Sequence, residues 1–155
     1  MAYTDPLLAL GDALYGVLAL DTTLEGLAPG GVFFDVPQIT QATVFPFVWL
    51  DLRHDENFHG FGAQPGRKTR PQVQLRVHVY QSDYGTSRDA ELVMARIVDL
   101  LWNDAEALVV SGYLVYCNGK PMPEAEEFQF NDEELLGIKV KEFVLQTNYL
   151  LEEAA

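Results

Sequence analysis

Three groups of residues in this chain carry side chains that could do chemistry. His54, Asp55, Glu56 and His59 put imidazole and carboxylate ligands close together. A metal site needs those groups held at fixed angles. These four open a stretch rich in glycine, and the two histidines lack the i, i+4 spacing that one helix face would provide, so they read as polar loop residues. His78 and Cys117 form a conceivable nucleophile and base, but no third group is in sight to orient the imidazole and no oxyanion donors are apparent. A structural histidine is the simpler reading. Gly62-Ala-Gln-Pro-Gly66-Arg67-Lys68-Thr69 has the flavour of a phosphate-binding loop, yet its glycine spacing is one residue short and Arg67 separates Gly66 from the lysine. It also leads into a strand, so no helix N-terminus would face a phosphate. No Gly-x-Ser-x-Gly occurs. The chain is therefore read as non-enzymatic, with no cofactor and no metal.

The elements that must position these groups are organised around Pro71 to Asp83. Val73, Leu75, Val77 and Val79 alternate with Gln72, Gln74, Arg76, His78 and Tyr80, the period of a strand with one buried face. The opposite face, all hydrogen-bonding side chains, is expected to meet water, a lumen or another subunit rather than a second core. Upstream, Thr4 or Asp5 before Pro6 makes a helix start, and Leu7, Leu10, Leu14, Val17 and Leu18 follow at helical spacing. Asp21-Thr-Thr ends or restarts that helix, and Pro29-Gly30-Gly31 punctuates the chain. Val32 to Val36 reads as a short strand stopped by Pro37, and Phe45 to Arg53 as a second one. His54 to Arg70 is a long loop, of a length that in a compact domain is usually functional or disordered.

Beyond the central strand, Thr86 or Ser87 can cap a helix whose apolar face is Ala90, Val93, Met94, Ile97, Val98 and Leu101. Val109 to Cys117 is a strand weakened by Gly112, and Asn118-Gly119 is a turn pair. Glu124 to Glu134 holds six acids and no base, the pattern of a solvated edge or a docking surface. Ile138 and Val140 alternate in one phase and Phe143, Leu145, Thr147 and Tyr149 in the other, which predicts a β-bulge near Lys141 or Glu142. The fold class is α+β: a mixed or antiparallel sheet of about four to five strands with two main helices packed on one face.

Composition narrows the function. A chain of 155 residues, 48% apolar, suits one domain spanning 1–155. Ten Lys and Arg against 23 Asp and Glu leave a formal charge of −13, which repels phosphate backbones and argues against electrostatic binding of nucleic acid. The single cysteine, Cys117, excludes an intramolecular disulfide framework and fits a reducing compartment. The apolar run Leu7 to Leu20 has no preceding Lys or Arg and is interrupted by Asp12, so it is no signal peptide. It is also too short to span a bilayer. A soluble protein synthesised in a cytoplasm, with no membrane partner, is expected.

The order of signals is similar to that of the tail-terminator or tail-completion family of long-tailed bacteriophages. The resemblance lies in an N-terminal helix (Asp5-Pro-Leu-Leu-Ala-Leu), Val32-Phe-Phe-Asp-Val-Pro-Gln38, Phe45-Pro-Phe-Val-Trp-Leu50, a long variable loop, Val73-Gln-Leu-Arg-Val-His-Val-Tyr80, a turn containing Gly85, and the helix opening at Asp89-Ala90. It covers about the first two thirds of the chain and consists of packing and turn motifs. In the last third, the acidic stretch Glu124 to Glu134 is longer and more charged than the family pattern.

The resemblance implies a virion subunit assembled in the host cytoplasm. It would form a homo-oligomeric ring, commonly a hexamer, on the head-proximal end of the tail, bind the major tail tube protein to stop its growth, and present a surface to head-completion or connector proteins. DNA would pass through the hole without specific binding. A head-completion or connector subunit of the neck is the alternative, and a small enzyme using His78 or the loop histidines a more remote one. Phe58, Phe61, Arg67, Lys68 and Arg70 are the expected inter-subunit contacts, because apolar and cationic anchors concentrate there in a chain short of bases. Asp132, Glu133 and Glu134, the densest acidic run, are the candidate lumen acids.

Overall fold

The computed structural model describes residues 5–35, 42–54, 72–82, 87–103, 108–117, 122–124 and 140–153. Proline at the first helical position and Asp5 as cap, its Oδ1 accepting the Leu7 N–H at 2.8 Å, start α1, Pro6–Ala19. Asp21 restarts the helix as α2, Thr22–Leu27, by accepting the Leu24 N–H at 2.8 Å. Then come β1 (Val32–Phe33), β2 (Phe47–His54), β3 (Gln72–Ser82), α3 (Ser87–Val98) with a π-helical turn at Asp99–Asn103, β4 (Tyr113–Cys117), β5 (Met122–Glu124) and β6 (Val140–Glu153).

The expected central strand is central. β3 pairs antiparallel with β2 on one side and β6 on the other, β1 lies parallel to β2 at one edge, and β4 and β5 share the outer edge of β6. The sheet is mixed and the fold α+β. Val73, Leu75, Val77 and Val79 are completely buried against α1 and α3, which contribute Leu10, Leu14 and Leu18 and Ala90, Val93, Ile97 and Leu101 to one continuous cluster. Each buried aliphatic side chain of this kind contributes on the order of 1.5–3 kcal/mol. Asp21 also ties α2 to α3: its carboxylate takes two hydrogen bonds from Arg96, Nε to Oδ2 at 2.9 Å and Nη2 to Oδ1 at 2.7 Å.

Four expectations need correction. β1 is two residues long rather than five, and Phe34 and Asp35 bend away from the sheet. β4 starts at Tyr113, because Gly112 sits at φ 82° in a turn closed by the Tyr113 N–H donating to the Val110 carbonyl at 3.2 Å. No bulge interrupts β6: its register with β3 runs unbroken from Val140 opposite Ser82 to Leu150 opposite Gln72. The phase change in the sequence arises because both faces are covered there, with Glu142, Phe143, Val144 and Leu145 all buried, so alternation ceases to report one buried face. Cys117 and Met122 are five positions apart, whereas their partners Tyr149 and Gln146 are only three apart. The polar face of β3 is not wholly solvated either, since His78 and Tyr80 are buried. The Asn118-Gly119 turn pair lies outside the described residues.

Candidate interaction surfaces

The face of the sheet turned away from the helices is not simply wet. Strand register places Phe47 opposite Tyr80, Trp49 opposite His78, Asp51 opposite Arg76 and Arg53 opposite Gln74. Phe47 and Tyr80 pack edge to face with ring centroids 5.0 Å apart, and Phe45 and Trp49 complete a second small aromatic cluster. The Trp49 indole stacks on the His78 imidazole at 3.9 Å with the planes 6° apart. From β6, Glu142 Oε1 takes the Nδ1 hydrogen of His78, and both residues are over nine-tenths buried. Burial raises the Tyr80 phenol above its ordinary pKa of 10.0, and the nearby Glu142 carboxylate adds to this against a smaller opposing effect of Trp49. The phenol therefore stays neutral.

This arrangement holds the imidazole; it does not aim it at a substrate. Cys117 lies opposite Tyr149, whereas His78 lies opposite Val144. Five strand positions separate those β6 residues, roughly 17 Å of strand, so no cysteine and histidine couple forms. The buried face reflects what the alternating pattern hides: an aromatic-rich neighbour, β2, lays Phe47 and Trp49 across Tyr80 and His78. Gln72, Gln74 and Arg76 at the other end of β3 are half-buried, as a polar face would be. The cue available in the sequence was Phe45-Pro-Phe-Val-Trp, whose aromatics at alternate positions must all point to one side of β2.

Of the loop histidines, His54 ends β2 and is exposed. Asp55, Glu56, His59 and the glycine-rich run 62–69 lie outside the described residues. So do Phe58, Phe61, Arg67, Lys68, Arg70, Asp132, Glu133 and Glu134. Among the described residues no group of three or more metal-ligand side chains converges, and no helix is long and apolar enough to cross a membrane.

A second surface was not foreseen. At the β1 edge, Phe34 stacks on Tyr15 of α1 with centroids 5.4 Å apart, and both rings are about two-fifths exposed. This ridge has a hollow on each side. One, of about 270 Å³, lies between α1 and β2 and is walled by Leu7, Leu8, Gly11, Phe34, Leu50 and Leu52, with Asp12, Asp35 and Asp51 around it. The other, about 330 Å³, runs along α2 toward Val32 and Phe33. Gly11 lets Leu52 and Phe34 pack close against α1: a Cβ there would stand 3.3 Å from Leu52 Cδ1 and 3.4 Å from Phe34 Cε1. Asp51 is paired with Arg53, Nη2 to Oδ2 at 2.9 Å.

Helices on one face of a mixed sheet, apolar hollows at its edge and no converging catalytic groups among the described residues define a small α+β domain with surfaces suited to docking. No protein-family model and no curated protein matches the chain. Among solved structures, its fold is similar to that of a chain from the virion of a native gene transfer agent particle. The TM-score is 0.64 over 96% of this chain and 99% of that one, with 18% of residues identical. At that identity the likeness is one of fold.

Proposed function

We propose that the protein is a structural subunit of a virion, and specifically a tail terminator: a ring on the head-proximal end of the tail tube that ends tube polymerisation and offers the surface for head joining, with DNA passing through its lumen. The observation that carries this is the end-to-end likeness of fold to a virion chain. The resemblance of the first two thirds of the sequence to the tail-terminator family, found independently, supports the finer role. The chemistry agrees. His78 is locked between an indole and a carboxylate rather than poised, and a charge of −13 suits a conduit that must not hold passing DNA. In this reading Phe58, Phe61, Arg67, Lys68 and Arg70 engage the neighbouring subunit or ring, and Asp132, Glu133 and Glu134 face the lumen.

The test is an assembly extract from cells infected with the parent virus lacking this gene. Tubes of uncontrolled length without heads, corrected by adding the purified protein, are the expected result. Tails of normal length joined to heads in its absence would overturn the proposal.

A further inference from the structure

We infer that the hollows beside the Tyr15–Phe34 ridge receive the 58–70 segment of a neighbouring copy, Phe58 and Phe61 entering the hollows and Arg67, Lys68 and Arg70 facing Asp12 and Asp35. The inference rests on the ring reading above and adds the receiving site.

The socket is built for an apolar side chain. Its first hollow, about 270 Å³, falls below the roughly 300–1,000 Å³ of sites that enclose a drug-sized ligand, and it is of a size to take an aromatic ring. Its walls expose large apolar side chains, Leu8 at 69% and Phe34 at 42%, and an apolar partner would cover them. Gly11 in mid-helix costs about 1 kcal/mol relative to alanine, and its missing Cβ lets Phe34 and Leu52, two walls of the hollow, sit close against α1.

Charge selects the occupant. Asp51 already has Arg53. Asp12 and Asp35 stand exposed at the same rim with no ion pair among the described residues, so the partner must bring cations as well as apolar groups. This chain has ten Lys and Arg against 23 acids, and only at 67–70 do three cations fall within four residues. No acid occurs from Asn57 to Arg70, and the two phenylalanines of that stretch precede the cations. Thus the complement of the socket is written in the same chain. A segment of one copy seated in the socket of the next makes a heterologous contact, the kind that closes into a ring, and the charges at its rim would set orientation and rate of docking.

Disulfide trapping tests this, in a Cys117→Ser background. Leu8→Cys and Phe61→Cys chains are mixed, assembled with the tube protein and oxidised, while native mass spectrometry of unoxidised samples reports the oligomer. A disulfide dimer that needs both variants is expected. Asp12→Lys with Asp35→Lys should weaken assembly about tenfold, and adding Arg67→Glu with Lys68→Glu should restore it. Oligomers that form without the dimer would overturn the inference and leave the ring reading standing. If the chain carrying both cysteines closes on itself as a monomer, the segment fills its own socket and the inference fails. No oligomer under any of these conditions would remove the ring reading as well.

Discussion

Replacing Asp21 removes two interactions at once, and a graded set of variants separates them. The carboxylate caps α2 through the Leu24 N–H and receives both Arg96 hydrogen bonds, with its side chain 14% exposed and that of Arg96 31% exposed. Loss of a helix cap costs about 1 kcal/mol. A largely covered bidentate pair is worth about another 1 kcal/mol, the upper end for pairs at a surface. Asp21→Ala should therefore destabilise by about 2 kcal/mol, which at a urea m-value of about 2 kcal/mol/M lowers the midpoint by about 1 M. Asp21→Asn keeps a capping oxygen and should cost about half as much. The coupling between Asp21→Asn and Arg96→Ala in a double-mutant cycle should be about 1 kcal/mol. Acidity gives a second readout. The Arg96 hydrogen bonds hold the Asp21 carboxyl below 3.8, helped by the Leu24 N–H and the Arg96 charge and opposed by burial. A folded-state pKa below the unfolded one stabilises above the unfolded value, and that stabilisation is lost as pH falls through the folded value. The gap between native protein and Asp21→Asn should be full at neutral pH and close below 3.8. Urea titrations at pH 7 and at low pH, followed by circular dichroism, measure it. A coupling near zero, or a gap independent of pH, would refute the reasoning.

Gly30→Ala should prevent folding or destabilise by several kcal/mol, since a Cβ would fall 2.2 Å from the Val44 carbonyl oxygen and 2.7 Å from Phe47 Cβ; thermal melts beside Gly26→Ala, where nothing lies within 4 Å, provide the comparison. At −13 per subunit, copies repel unless contacts and a template offset the charge, so native mass spectrometry should find a weak oligomer that strengthens with salt, and a tight one at micromolar dilution in low salt would contradict this. Double-stranded DNA titrated in at about 50 mM salt, where phosphate-driven binding is strong, should not bind. Replacing Asp132, Glu133 and Glu134 with lysine should create salt-sensitive binding and slow DNA ejection; unchanged ejection would move those acids out of the lumen.

The helices and the central strand were readable because their patterns report one buried face each. Leu10, Leu14 and Leu18 recur at the helical period, and Val73 to Val79 alternate, so local spacing alone identifies the side that meets the core. That logic fails where both faces are covered. On β6 the buried Glu142 and Val144 lie on one face and Phe143 and Leu145 on the other, and the mixture imitates a bulge. It fails again where a neighbouring strand decides burial: nothing in Arg76-Val-His-Val-Tyr indicates that Trp49 will cover His78. Glu142 sits 64 positions from its histidine, and only the β3–β6 register brings them together. The Tyr15–Phe34 ridge was hidden for the same reason. Each ring taken alone reads as an ordinary exposed or core aromatic, and the socket exists only once α1 is laid beside the β1 edge.

The proposed function is a position in a particle, a ring where tail meets head. Electron microscopy of virions in which the protein carries a gold-binding or fluorescent-protein tag at its C-terminus measures that position directly. Density or gold at the head-to-tail joint, in a ring coaxial with the tube, is the predicted result. A label at the distal tip, along the tube or on the capsid surface would contradict the account.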